Sequence, residues 1–220
     1  MPKLTWDDAG KKLYETGVDR GVLYIPTDGV YTKGVAWNGL ISVTESPSGA
    51  EPSPLYANNG KYAVLMSNEE FGGTIEAYTY PDEFAACNGE ALLADGLEGI
   101  SVAQQSRQTF GFAYRTLIGN DEKGTEYGYK IHLVYGALAA VAERANTTVN
   151  DSPEAMTMSW EFSTTPVKIA GMKPTSHVII DSTKVTSENL AKIEKALYGD
   201  SAAEAKLPLP DELITLLGKG

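Results

Sequence analysis

Two arms of alternating residues joined by a short polar turn constrain this chain more than any other feature. Phe110, Phe112 and Tyr114 alternate with smaller residues, Gly119-Asn120-Asp121-Glu122-Lys123-Gly124 supplies turn chemistry, and Tyr127, Tyr129, Ile131, Leu133 and Tyr135 alternate again. A period of two fits a strand and excludes a helix. The segment from Gln108 to Gly136 is therefore expected to be a long β-hairpin. One side of it, Phe110, Phe112, Tyr114, Tyr129, Ile131, Leu133 and Tyr135, is expected to meet a core.

Further strand-like runs lie at Val22 to Ile25, Val35 to Thr44, Tyr62 to Met66, Thr74 to Tyr80 and Val178 to Ile180. Met156, Met158, Trp160 and Phe162 alternate with Thr157, Ser159, Glu161 and Ser163, the pattern of a half-buried strand. A short helix is read around Asp8 to Glu15. Residues 81 to 103 read as irregular with a helical turn after Pro81, and Asn150-Asp151-Ser152-Pro153 reads as a turn. Near the end the period becomes helical: Thr186 or Ser187 can cap, Leu190, Ile193 and Leu197 share a face, and Gly199 can terminate. Asp200 to Lys206 reads as a linker, and Pro210 to Leu217 as a short helical tail that could dock or swap onto a neighbour. Strands first and one strong helix late predict an α+β domain over residues 1–199, a mainly antiparallel β-sandwich or partial barrel with one flanking α-helix, followed by the tail at 200–220.

Between two strand runs, Glu45 to Gly60 contains Pro47, Pro52 and Pro54, which cannot donate to a ladder, so this segment is expected to be a long loop. Long loops in compact domains are usually functional or disordered. Charge is the second pointer. The chain carries 29 acidic and 18 basic residues, a net charge of −11, which argues against a surface that grips phosphates. From Tyr62 to Ser106 there is no Lys or Arg, while Glu69, Glu70, Glu76 and Asp82 fall in that stretch.

Catalytic patterns are missing. His132 and His177 lie on different expected strands without an HExxH-type pair, so neither a zinc site nor a histidine base is expected. GxSxG, P-loop and GxGxxG motifs are absent. Glu76 and Glu161 could face each other across a sheet as an acid/base pair, but Glu161 beside Arg115 or Lys130 is the commoner arrangement. Trp37 and Trp160 are expected in the core, and Cys87, the single cysteine, is expected to be a small buried thiol. No catalytic residue, cofactor or metal is expected. No run approaches 18 apolar residues and the first residues lack an apolar core, so neither a membrane span nor a signal peptide is expected.

Several longer runs resemble a known family. Gly17-Val18-Asp19-Arg20-Gly21-Val22-Leu23-Tyr24, Gly34-Val35-Ala36-Trp37-Asn38-Gly39-Leu40 and Ser48-Gly49-Ala50-Glu51-Pro52 resemble the major tail proteins of long-tailed, non-contractile bacteriophages. Gly73 to Phe84, Phe110 to Asp121, Gly128 to Gly136 and Ser159 to Pro166 follow in the same order. The resemblance implies a virion tail protein, made in the host cytoplasm, that assembles with itself into stacked hexameric rings. Their inner sheets would join into a barrel through which DNA passes without specific binding. It implies a tape measure protein and tail terminator or baseplate proteins as partners. It also implies ring-stacking contacts from the loop residues Pro47, Ser48, Gly49, Glu51, Pro52, Pro54, Leu55 and Tyr56. Glu69, Glu70, Glu76 and Asp82 become candidates for an acidic lumen. A tube protein of a phage-derived bacteriocin particle would share these runs. A β-sandwich adhesin gripping a ligand with the same loop is the alternative from another class, although only Tyr56 there offers a ring to stack on a sugar.

Overall fold

The computed structural model describes residues 3–149, 151 and 154–218. Of the turn expected at Asn150-Asp151-Ser152-Pro153, all but Asp151 lies outside the described residues. In chain order the first strands are β1 (Leu13–Tyr24), β2 (Gly34–Trp37), β3 (Leu40–Glu45), β4 (Ser48–Gly49), β5 (Pro52–Ala57), β6 (Gly60–Met66), β7 (Glu69–Glu70) and β8 (Gly72–Ala77). A 3-10 turn, Asp82–Ala86, leads to β9 (Ala91–Leu92) and β10 (Ser101–Val102). Then come the hairpin β11 (Phe110–Asn120) and β12 (Gly124–Ala139), β13 (Met158–Thr164), β14 (His177–Asp181), and the helices α1 (Ser187–Tyr198) and α2 (Pro210–Leu216). The class is α+β and the ladders are antiparallel, as expected.

One eight-stranded sheet follows the path β2-β1-β11-β12-β13-β8-β3, with β14 added to β12 beside β13. Its two end strands are consecutive in the chain. The run from Val35 to Thr44, expected as one strand, breaks at Asn38–Gly39, where Gly39 has φ 73°. That turn carries the chain from a partner of β1 to a partner of β8. The sheet thus curls round a core without closing on itself.

The expected helix at Asp8 to Glu15 is replaced by the start of β1. Leu13 to Thr16 pair with Asn120 to Leu117, so β11 supplies a ladder that local propensity cannot reveal. Nor does the hairpin have a single buried side. Phe112 stands opposite Val134 and Tyr114 opposite His132, whereas Ala113 stands opposite Leu133. Phe110, Phe112 and Tyr114 therefore enter one core with Trp37, Phe84 and Trp160, while Ile131, Leu133 and Tyr135 enter a second with Ile193, Leu197, Leu207 and Leu213. The central strands are buried on both faces, one by the curled sheet and one by the helices.

The first core is aromatic. The Trp37 ring lies 4.6 Å from Phe84, 5.5 Å from Phe112 and 5.7 Å from Trp160. Both indoles satisfy their N–H: Trp37 donates to Thr79 O (2.9 Å) and Trp160 to Asn88 Oδ1 (3.1 Å). Cys87 is fully buried there, and burial pushes its thiol up to about 12. A disulfide reagent should therefore find no reactive thiol in native protein and one per chain after denaturation. Stoichiometric labelling of folded protein would contradict this packing.

The second core explains the C-terminal segments. Thr186 Oγ1 accepts the Asn189 N–H at the start of α1, and Gly199 N–H returns to Lys195 O at its end. The tail docks on its own chain: Tyr135 Oη donates to Pro208 O (2.9 Å), and Leu207, Pro210 and Leu213 are buried. Gly111 makes room for it, since a Cβ there would stand 2.6 Å from Leu207 Cδ2. Arg115 and Lys130 do not meet Glu161. Arg115 grips Asp19 with Nε and Nη2 (2.7 and 2.5 Å) and Lys130 pairs with Glu15, because both lie where β12 is flanked by β11 and β14, whereas β13 pairs only with Ala137 to Ala139 at the other end of β12.

Candidate functional site

The segment expected as a loop is half of a projecting ribbon. Pro47 lies in the link before β4, Ser48 and Gly49 pair with Glu70 and Glu69, and Glu51 precedes β5. From Pro52 the chain runs as β5 and returns as β6, with Pro52 opposite Met66 and Pro54 opposite Val64. Asn58 and Asn59, at φ 50° and 63°, make the turn, the positive pair that a two-residue hairpin demands. Prolines are tolerated because β5 is an edge strand, where alternate N–H groups point away from the partner. The run Tyr62 to Met66 is thus the other arm of the ribbon.

Every ribbon residue is exposed except the half-buried Ala63. Yet its composition is apolar: Tyr56 is 72% and Tyr62 77% exposed, and Leu55, Val64, Leu65 and Met66 are exposed beside them. A two-stranded ribbon is at best marginal alone, and an uncovered apolar patch of this kind marks an interaction surface. Tyr62 is a second exposed ring that the loop reading omitted.

The acidic candidates separate. Glu76 on β8 pairs with Ser42 on one side and Ser159 on the other, and Thr74 pairs with Thr44 and Glu161. These six residues share the outer face of the β3–β8–β13 sheet, opposite the buried Ile75 and Trp160, and that row holds two carboxylates and no base. Ser42 Oγ donates to Glu76 Oε2 (2.7 Å). Glu76 and Glu161 lie diagonally, two residues apart in register, not directly opposite. Glu69 and Glu70 sit on β7 at the ribbon's root and Asp82 on the 3-10 turn, at opposite ends of β8, a strand of about 20 Å.

A third cluster joins residues that spacing alone kept apart. β14 pairs with β12 so that Val134 meets His177, which brings His177 Nε2 to 3.1 Å from His132 Nδ1. Glu45 Oε1, at the end of β3, lies 3.2 Å from His132 Nδ1 and 3.9 Å from His177 Nε2. Tyr114 Oη donates to the same carboxylate oxygen (2.6 Å), and Thr116 Oγ1 is 3.1 Å from His132 Nε2. Stacking fixes the rings: Tyr114 on His132 at 4.6 Å and Phe71 on His177 at 4.4 Å. Burial holds both imidazoles below their ordinary pKa, the Glu45 charge opposing it, so both are neutral at pH 7. No other group of three or more such side chains gathers like this among the described residues.

No family model and no curated protein matches the chain. Solved structures give loose likenesses. The anti-feeding prophage baseplate, solved with sixfold symmetrisation, is similar at 8% identity over 73% of this chain and 92% of that chain, with a TM-score of 0.36. The sheath–tube complex of the PVC extracellular contractile injection system gives 12% identity over 74% and 88%, at 0.34. The SPP1 tail tube gives 11% identity over 91% and 98%, at 0.39. Among the described residues, no helix is long and apolar enough to cross a membrane.

Proposed function

We propose that the chain is a self-assembling structural subunit of a phage-type tail tube. The observation that carries this reading is the apolar ribbon β5–β6, which nothing among the described residues covers. Beside it, β2 and β3 end the sheet path; among the described residues Gly34 N–H at the start of β2 is taken by Ala205 O (2.7 Å), and no further strand pairs with either outer edge, so a neighbouring copy can. Together with the ordered runs that resemble major tail proteins, these features support hexameric rings joined edge to edge and stacked through the ribbon. Tape measure, terminator and baseplate proteins complete the tail in this reading. Negative-stain microscopy of the purified chain tests it: rings or tubes of uniform width are expected. Persistent monomers that bind a glycan through Tyr56 and Tyr62 would favour an adhesin instead.

In an assembled tube, the polar face carrying Glu76 and Glu161 is proposed to meet the lumen, with Glu69, Glu70 and Asp82 extending its charge. An acidic wall repels DNA phosphates and so keeps the polymer from sticking through many cooperative contacts. Particles carrying Glu76→Lys together with Glu161→Lys should assemble normally yet release DNA more slowly. Normal release kinetics would remove charge from the mechanism of passage.

A further inference from the structure

We propose that Glu45, His132 and His177 bind a single zinc ion through Glu45 Oε1, His132 Nδ1 and His177 Nε2. The three donor atoms stand 3.1, 3.2 and 3.9 Å apart. A tetrahedral ion with bonds of about 2.0–2.1 Å to nitrogen and oxygen requires its donors to be separated by about 3.3 Å. The separations therefore match a site in which each donor moves by a few tenths of an ångström.

The surroundings are those of a metal centre as well. In the tautomer with its proton on Nε2, His132 donates to Thr116 Oγ1 and presents the Nδ1 lone pair to the other two donors. Tyr114 Oη donates to Oε1 itself, taking one lone pair and leaving the other for the ion, and the Tyr114 and Phe71 rings stop the imidazoles from turning. His132 is buried and Glu45 is partly open to solvent, so an ion would reach the site past the carboxylate. Two imidazoles and one carboxylate favour zinc over magnesium or calcium, which take oxygen donors.

The consequence is local. Glu45 ends β3, the strand at one end of the sheet path that leads into the ribbon, whereas His132 and His177 sit on β12 and β14 in its middle, so a bound ion would fasten the ribbon's root to β12 and β14. This does not depend on the tube reading.

The test is zinc titration of the full chain, purified without a polyhistidine tag and stripped with chelator. One zinc per chain is expected, with cobalt giving the visible bands of a tetrahedral site. At zinc about a hundredfold above Kd, the melting midpoint should rise by about 5–10 °C. Glu45→Gln keeps an acceptor for Tyr114 and should weaken zinc at least tenfold. His177→Ala should weaken it further. Folded wild-type protein that takes up no zinc, or binding that Glu45→Gln and His177→Ala both leave intact, overturns the assignment.

Discussion

Ile193→Asp should leave the chain insoluble or unfolded. Ile193 is 1% exposed, packed with Leu197, Leu207 and Leu213 against the face of β12 that carries Ile131 and Leu133. Removing the aliphatic side chain alone costs about 2–5 kcal/mol. The new carboxyl must then be buried without a partner or protonated at further cost. A domain with a total stability of about 5–15 kcal/mol does not survive both. The helix offers little resistance of its own, since twelve residues are marginal in water and α1 persists because its apolar stripe is buried. Ala191→Asp, on the exposed face of the same helix, is the control and should stay within about 0.5 kcal/mol of the parent. Soluble fraction and circular dichroism decide the outcome. A folded Ile193→Asp chain would mean that α1 packs elsewhere.

Excision of the ribbon should do the opposite, sparing the fold and abolishing stacking. Removing only Pro47 to Ala57 would strand β6 without its partner, so the cut belongs at the root. Ala50 N–H already points at Asn68 O (3.4 Å), and β4 and β7 pair just below. Replacing Glu51 to Ser67 by Asn-Gly closes that neck with a two-residue hairpin turn. The excised side chains are exposed, so the melting midpoint should change by only a few degrees. Where the parent gives tubes, the shortened chain should give monomers or isolated rings by size and microscopy. Tubes of normal length would clear the ribbon of that role, and loss of the fold would make it part of the core.

Elements whose signal is local were legible in the sequence. The turn at Gly119 to Gly124, the alternation through Trp160 and the stripe Leu190, Ile193 and Leu197 each yielded the observed element. What needed a distant partner was not. β1 exists because β11 pairs with it, and the two faces of the hairpin are set by the register that puts Tyr114 against His132. Prolines hid a strand in the ribbon because a missing donor is harmless on an edge. The Glu45, His132 and His177 cluster has no sequence signature at all, since only the pairing of β12 with β14 and the return of β3 bring its members together.

The long reach between β1 and β11 also sets an order in time. Tyr24 waits for Gly111, which leaves the ribosome several seconds later at about 5–20 residues per second. The ribbon needs only its own two arms and the Asn58–Asn59 turn, so it can form transiently, as a marginal hairpin, while the frame that carries it is still being synthesised. The exposed apolar side chains of the ribbon are thus synthesised before β8, the strand that anchors its root in the sheet by pairing with β3. A nascent chain therefore exposes an apolar stretch early, and the sheet that frames it is completed only when β11 to β14 arrive.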